Sequence, residues 1–342
     1  MEDVDLVEKK GIVINTAVLH VLDYKRGVSV LSKKSLNLED DTINKYVKRM
    51  LNKMRKDIRL KKGTFNDGSL MERLIGQFTS GEYNFTDFSI QAVSSFNDFL
   101  KEKALQSYDV LMIYYQEEDV PAFAMALLAN QPAYTHQTEV SDGLESNTIL
   151  LQNSVLPAPT KKIDTFAVVN LVNKEVQYVD DTDWDQPDFS VMRDVILNCS
   201  SGQSKAEILD QVSEITSEIA EEYEENPSLM LSKVKNYIHE TVTDEKPLKT
   251  EDLAIHVFND SEEMQNSFIS KSAEKQLPEE IEVPKSVSTR KMKNQKIKTD
   301  TGIEITFPTE YFENPDFIEF VTREDGTLTI EIKRIGKIEN KG

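Results

Sequence analysis

The chain is poor in the residue types that build most active sites and cross-links. Its 342 residues include one cysteine, Cys199, which excludes an internal disulfide and a multi-cysteine zinc cluster. The four histidines are scattered, with no i, i+4 pair and no HExxH motif. The longest near-continuous apolar run, Val120 to Ala129, is about half of what a membrane-spanning helix needs. We therefore predict no metal site, no cofactor, no membrane span and no enzymatic activity.

Three further stretches lack the residues that would make them functional motifs. The stretch "SSGQSK" lacks the first glycine of a phosphate-binding P-loop. The stretch "DDTDWD" (residues 180–185) places aspartates at alternate positions, as at the start of an EF-hand loop. However, Gln186 and Met192 occupy the positions where that loop needs glycine and glutamate. The opening "MEDVDLVEKK" lacks the apolar core of a secretory signal, so we expect a cytoplasmic protein. We also expect Cys199 to be a small buried residue and His20 to be a core histidine with satisfied hydrogen bonds.

The charge of the chain is large and unevenly distributed. The formal net charge is -20, yet residues 43–62 hold nine Lys and Arg and one Asp, and residues 285–299 hold six Lys and Arg and no acid. Residues 203–283 hold 20 acidic and seven basic side chains. Such asymmetry is informative about partners rather than about the fold.

The order of predicted elements indicates an α+β fold. β-Branched runs begin the chain, two helices follow, and "YDVLMIYYQ", "PAFAMALLA", "NTILLQ" and a hairpin around Asn173-Lys174 supply further strands of a mostly antiparallel central sheet. Beyond Trp184 the pattern is helical, and Asp325-Gly326 marks a closing β-hairpin. We predict an α+β domain over residues 1–183. Residues 184–342 should form a helical acidic region, a basic arm without secondary structure at 285–299 and β-hairpin structure at 302–335.

The first basic stretch has the periodicity of an amphipathic helix over residues 43–62, which Gly63 would end. Its cationic face suits salt-sensitive, sequence-tolerant contact with a polyanion. Two alternatives remain: the face pairs with the acidic helix of residues 207–225, or it is solvated. The candidate nucleic-acid contacts are Lys48, Arg49, Lys53, Arg55, Lys56, Arg59, Lys61 and Lys62.

The second basic stretch and the acidic helix are the other candidate surfaces. Arg290, Lys291 and Lys293 would contact nucleic acid from a flexible arm, with a charged linker as the alternative. The acidic helix could instead imitate a phosphate backbone and dock on a basic DNA-processing enzyme. Its candidate partner-binding residues are Glu207, Asp210, Glu214, Glu218 and Glu221.

Six landmarks occur together in a fixed order along nearly the whole chain. They are "AVLHVLD", "KKGTF", "YDVLMIYYQEEDVPAFAMALLAN", "VDDTDW", "GIEITFPTEYF" and "REDGTLTI". With these landmarks the chain resembles the bacterial 37-kilodalton nucleoid-associated proteins of the YejK/NdpA type. The resemblance implies a cytoplasmic protein of the bacterial nucleoid and supplies no catalytic residues.

Together these observations predict a non-catalytic, acidic nucleoid-associated protein that takes part in chromosome organisation. It would bind DNA or a DNA-bound partner. The alternative is an interaction protein that docks on a DNA-processing enzyme without touching DNA. A homodimer would double the basic face and raise avidity.

Overall fold

The computed structural model describes residues 11–103, 106–141, 143–184, 186, 188–283, 293–312, 314–323, 327–337 and 339. The chain divides into two compact units, Met1–Gln203 and Ser204–Gly342. The fold is mixed α and β, with strands clustered in the first unit and helices in the second, so the α+β prediction is confirmed.

The first unit is built on a seven-stranded sheet in which every neighbouring pair is antiparallel. The strand order is β2-β1-β4-β5-β8-β9-β3. The strands of this unit are β1 Ile12–Asp23, β2 Val28–Val30, β3 Lys61–Gly63, β4 Tyr108–Glu117, β5 Val120–Ala129, β6 Gln131–Ser141, β7 Leu144–Val155, β8 Thr165–Asn170 and β9 Val176–Asp180.

Helices cover both faces of this sheet. Helix α1 (Asp41–Arg55) packs on one face, and α2 (Leu70–Thr79), α3 (Phe85–Lys103) and a π-helix (Val191–Leu197) pack on the other. In β4, alternate side chains enter the two separate cores, so every position is buried from Tyr108 to Ile113. Because both faces of these strands are buried, the sequences of β4 and β5 are nearly continuous apolar runs. They lack the alternation of apolar and polar residues that is typical of a strand with one solvent-exposed face.

Strands β6 and β7 lie outside the seven-stranded sheet. They pair only with each other in a two-stranded sheet, among the residues that the structure describes. The expectation that "NTILLQ" adds to the central sheet is therefore wrong, since this segment lies in β7. Its composition predicted a strand correctly but did not specify which strand it pairs with.

The basic stretch forms a shorter helix than the sequence predicts. Asp40 caps α1 by accepting hydrogen bonds from the backbone N–H groups of Thr42 (2.8 Å) and Ile43 (3.1 Å). The helix ends at Arg55, so the prediction of one helix over 43–62 is wrong. The chain turns through residues 56–60 and pairs as β3 with β9.

Gly63 is required in β3 for a reason other than ending a helix. An added Cβ would lie 2.2 Å from the backbone oxygen of Ser200. The chain around Ser200 runs beside β3, and its N–H donates to the carbonyl of Thr64 at 2.9 Å. Only glycine allows the two backbones to approach this closely.

The second unit contains four α-helices, one 3-10 helix (Thr309–Tyr311) and three two-stranded sheets among its described residues. The helices expected beyond Trp184 are confirmed. The prediction of a basic arm without secondary structure at 285–299 is wrong for residues 294–298, which form a strand. The closing hairpin is confirmed by the pairing of its last two strands. Residues 284–292 and the turn at 324–326 lie outside the described residues. The elements are α4 Lys205–Glu222, α5 Pro227–Thr243, α6 Thr250–Val257, α7 Glu262–Glu274, β10 Leu248–Lys249, β11 Glu280–Ile281, β12 Asn294–Lys298, β13 Glu304–Pro308, β14 Ile318–Thr322 and β15 Leu328–Ile332.

Candidate nucleic-acid interface

The cations of α1 and the following turn fall into two groups, those exposed to solvent and those bound to the protein itself. Successive residues are about 100° apart, so the four core side chains Val47, Met50, Leu51 and Met54 span a sector of about 100°. Arg49 lies on the opposite side and Lys48 on one flank, and both are exposed. Lys53 and Arg55 also lie on the flanks, where a long side chain can fold back onto the protein, so contacts and not angle alone separate them from Lys48.

Arg55 is held by a carboxylate of the sheet. Its Nε donates to Glu117 Oε2 at 3.0 Å, and its Nη2 contacts Glu117 Oε1. The guanidinium carbon also lies 5.9 Å from the ring centre of Tyr115. The Arg55 side chain is 11% exposed. Arg55 therefore forms a structural ion pair with Glu117 at the end of β4 and is not presented to solvent.

Arg59 makes the most extensive contacts of the basic residues. Its Nε and Nη2 donate to the two oxygens of Asp57 at 2.9 and 2.6 Å, and its Nη1 donates to Asp181 at 2.5 Å. Its Nη2 also donates to the carbonyl of Ile163 at 3.0 Å. Burial acts to lower the pKa of Arg59, but the two carboxylates more than offset it and raise the pKa. Asp57, the lone acid in the basic stretch, was the sequence signal for this pairing.

Lys53 also binds the protein itself. Its Nζ donates to the carbonyls of Pro159 (3.3 Å) and Lys161. Burial lowers its pKa. Lys53 therefore joins α1 to the segment that precedes β8.

Four of the eight predicted cations remain exposed and form no ion pair with any residue in the described part of the chain. These are Lys48, Arg49, Lys56 and Lys62. Lys61 lies in β3 and is only partly exposed. The internal partners of Arg55 and Arg59 are carboxylates of the first unit itself.

The second basic stretch lies partly outside the described residues. Arg290 and Lys291 fall there, while Lys293 is described and exposed just before β12. Further along β12, Lys296 and Lys298 both pair with Glu304 of β13, at 2.8 and 3.9 Å.

The acidic face of α4 is largely neutralised by lysines of α7. Lys275 pairs with Glu214 and Glu218 at 3.0 and 3.1 Å, and Lys271 pairs with Glu218 at 3.6 Å and with Glu222 at 3.1 Å. These lysines lower the pKa of Glu218.

The other three predicted acidic contacts on α4 differ in their roles. The side chain of Glu207 accepts from the backbone N–H of Ser204, at 2.8 Å, within a capping box that starts the helix. Asp210 and Glu221 are exposed and form no ion pair with a described residue.

The acidic turn after β9 has a structural role that the sequence did not reveal. Asp180 accepts hydrogen bonds from Thr165 (3.0 Å), Trp184 (3.1 Å), Ser190 (2.9 Å) and the N–H of Met192 (3.0 Å). It thereby ties the turn to β8 and to the start of the π-helix. Trp184 packs on the core of the first unit. No group of three or more potential metal ligands occurs among the residues that the structure describes.

His20 and Cys199 are core residues, as predicted. His20 is fully buried; its Nδ1 accepts from the N–H of Ser32 at 3.0 Å, which leaves Nε2 to donate to Ser89 Oγ at 3.0 Å. Burial lowers the pKa of His20 to about 4 and raises the pKa of the Cys199 thiol to about 12.

The model of one known protein family, described as nucleoid-associated protein YejK, matches residues 18–339 of the chain. The chain belongs to this family. Membership supports a nucleoid-associated role in bacteria and confirms the resemblance seen in the order of the landmarks. No curated protein matches the chain. None of the helices in the described ranges is long and apolar enough to cross a membrane.

Proposed function

We propose that this member of the nucleoid-associated family contacts DNA directly and without catalysis, through Lys48, Arg49, Lys56 and Lys62. The contact is with backbone phosphates, so it is tolerant of base sequence. Lys293, with Arg290 and Lys291 before it, is a candidate for a second contact. The protein acts in the cytoplasm, at the nucleoid.

One observation carries this proposal: the internal ion pairs and hydrogen bonds account for Lys53, Arg55 and Arg59 but leave four exposed cations on the same segment. Lys48 and Lys56 are eight residues apart, or about 12 Å at 1.5 Å per residue, so the two side chains can reach different phosphates of one DNA strand. A cation that binds a phosphate must be free of internal partners, and these four satisfy that requirement among the described residues.

The test is DNA binding by the purified chain across a salt series. Four phosphate contacts predict a slope of log K against log salt of about -3.6, which is a loss of about 10²-fold between 50 and 200 mM salt. Replacing Lys48 and Arg49 by Ala should make the slope shallower by about 1.8. The matched control is Lys101→Ala with Lys103→Ala, which removes the same charge from the end of α3.

Two results would contradict direct contact. One is the absence of binding at low salt. The other is equal slopes for the Lys48/Arg49 variant and the α3 control, because binding would then depend on overall charge and not on this segment.

The alternative is docking on a basic DNA-processing enzyme through α4. Charge neutralisation by α7 leaves Asp210 and Glu221 as its exposed, unpaired acids, so the surface available for phosphate mimicry is smaller than the sequence suggests. Capture of a DNA-processing enzyme by the purified chain, before and after DNase treatment, distinguishes the two functions. Direct contact predicts that capture is lost with the DNA, whereas docking predicts capture that survives DNase and that Asp210→Lys with Glu221→Lys abolishes.

A further inference from the structure

In the part of the chain that the structure describes, no helix or strand covers either face of the hairpin of β6 and β7. The strands are 11 and 12 residues long, and every β7 side chain except that of Val155 is exposed. An isolated two-stranded hairpin is marginally stable in water at best. A hairpin of this length is therefore more stable when another protein surface packs against one of its faces.

The two faces of the hairpin differ in chemistry. Residues paired across an antiparallel ladder share a face, so Tyr134 lies beside Leu151 and His136 beside Ile149. Tyr134, Val140, Ile149 and Leu151 are between 50% and 77% exposed. We call this side the apolar face; it consists of Tyr134, His136, Thr138, Val140, Glu145, Asn147, Ile149 and Leu151.

The opposite face is more polar, although it carries Leu144 and Leu150, which are 73% and 41% exposed. It presents Thr135, Gln137 and Glu139 from β6, with Thr148 and Ser146 opposite the last two. The larger share of exposed apolar side chains lies on the apolar face, as expected for a sheet that buries one face and solvates the other. No element among the described residues covers that face.

The charge of the hairpin indicates what covers it. Residues 131–155 hold three acidic side chains and no Lys or Arg, in a chain that is 29% charged. The apolar face carries a single carboxylate, Glu145. It therefore offers neither the cations that nucleic acid binds nor the row of carboxylates that a basic enzyme binds, and depletion of charge is typical of an interface core.

We propose that the apolar face packs against the same face of a second copy of this chain, forming a dimer with two-fold symmetry. With a net charge of -20 on each copy, repulsion is least where both surfaces are nearly uncharged. A two-fold axis that lies in the plane of the contact, perpendicular to the strands and near the middle of the face, places the tip of one hairpin over the base of the other. The two Glu145 carboxylates then lie at opposite ends of the contact and do not face each other.

The area of the face sets the expected strength of this dimer. At about 3.4 Å per residue the hairpin is about 37 Å long, and a ribbon about 10 Å wide gives a footprint of roughly 400 Å² per copy. A standard interface buries about 800 Å² per partner, so the dimer should be weak and dependent on concentration.

The first experiment measures mass by equilibrium sedimentation between about 1 and 200 μM, a range suited to a weak interface. The weight-average mass should rise from 39.0 kDa towards twice that value. Ile149→Asp should hold it at 39.0 kDa, whereas Thr148→Asp, on the adjacent residue of the opposite face, should leave dimerisation unchanged. A native chain that stays monomeric, grows beyond a dimer, or responds equally to both variants would overturn the proposal.

The second experiment does not depend on a destabilising substitution. Thr138→Cys lies near the middle of the apolar face, and Gln137→Cys is its control on the polar face. Cys199, the one native thiol, is 4% exposed, and burial raises its pKa to about 12, so it does not compete in mild oxidation. Thr138→Cys should give a covalent dimer much faster than Gln137→Cys. Equal rates, or no dimer from either, would reject the two-fold contact.

Discussion

Replacing Arg59 by Ala should unfold the first unit more easily without changing how it binds DNA. The substitution removes the two hydrogen bonds to Asp57 and the pair to Asp181, and it leaves Asp57, whose side chain is 12% exposed, without its cation. Hydrogen bonds to charged groups contribute about 1.5–3 kcal/mol each, and breaking a fully buried pair costs about 3–5 kcal/mol. Because Arg59 and Asp181 are 21% and 35% exposed, we expect a loss of about 2–3 kcal/mol.

The assay is urea unfolding followed by circular dichroism, with Arg49→Ala as the control. Arg49 is exposed and unpaired among the described residues, so its replacement should change the free energy of unfolding by no more than about 0.5 kcal/mol. The DNA results should show the opposite order, with a shallower salt slope for Arg49→Ala and an unchanged slope for folded Arg59→Ala.

A different pattern would refute the division of the basic stretch into structural and exposed cations. If Arg59→Ala were as stable as the native chain and also reduced the salt slope, its guanidinium would be available to phosphates. The ion pairs with Asp57 and Asp181 would then not describe its state in solution.

Two further predictions concern residues packed inside the first unit, one of them at a close approach of two backbones. Burial lowers the pKa of His20 to about 4, below the unfolded value of about 6.5, so the neutral imidazole contributes stability that is complete above pH 6.5 and lost as the pH falls towards 4. The unfolding free energy of the native chain minus that of His20→Gln should therefore fall by up to about 3 kcal/mol over this window. Taking the difference cancels the opposite effect of Asp109, whose pKa burial raises to about 6; a flat difference would contradict the desolvation of His20. Separately, Gly63→Ala should cost about 2–3 kcal/mol in thermal or urea unfolding, because the new Cβ would lie 2.2 Å from Ser200 O and separate two backbone segments. The control Gly76→Ala, where a Cβ meets no atom within 4 Å, should be neutral or stabilising, and an equal cost at both sites would show that close approach is not the cause.

The local patterns of the sequence determined much of this protein. Apolar runs identified β4 and β5, the spacing of Ile215 and Ile219 identified α4, and the order of elements gave the α+β class. These features depend on side-chain periodicity within one segment, which folding does not alter. The sequence also predicted that His20 and Cys199 lie in the core.

Some boundaries and pairings could not be predicted in this way. The apolar periodicity of the basic stretch continues to Ile58, but α1 ends at Arg55 because the chain must turn to pair β3 with β9. Strand β7 was recognised from its composition, whereas its partner β6 and their position outside the central sheet depend on residues distant in the sequence. Periodicity carries no information about such long-range partners.

The sequence alone determined that residues 43–62 carry an excess of positive charge in an acidic chain, and that their apolar stripe is buried. Only the tertiary structure decided which of those cations face solvent. Glu117 and Asp181 are 62 and 122 residues away from the arginines that they bind, and they become partners only when the sheet forms. Charge is a property of composition, but its availability to a phosphate depends on distances of a few ångströms that the fold sets.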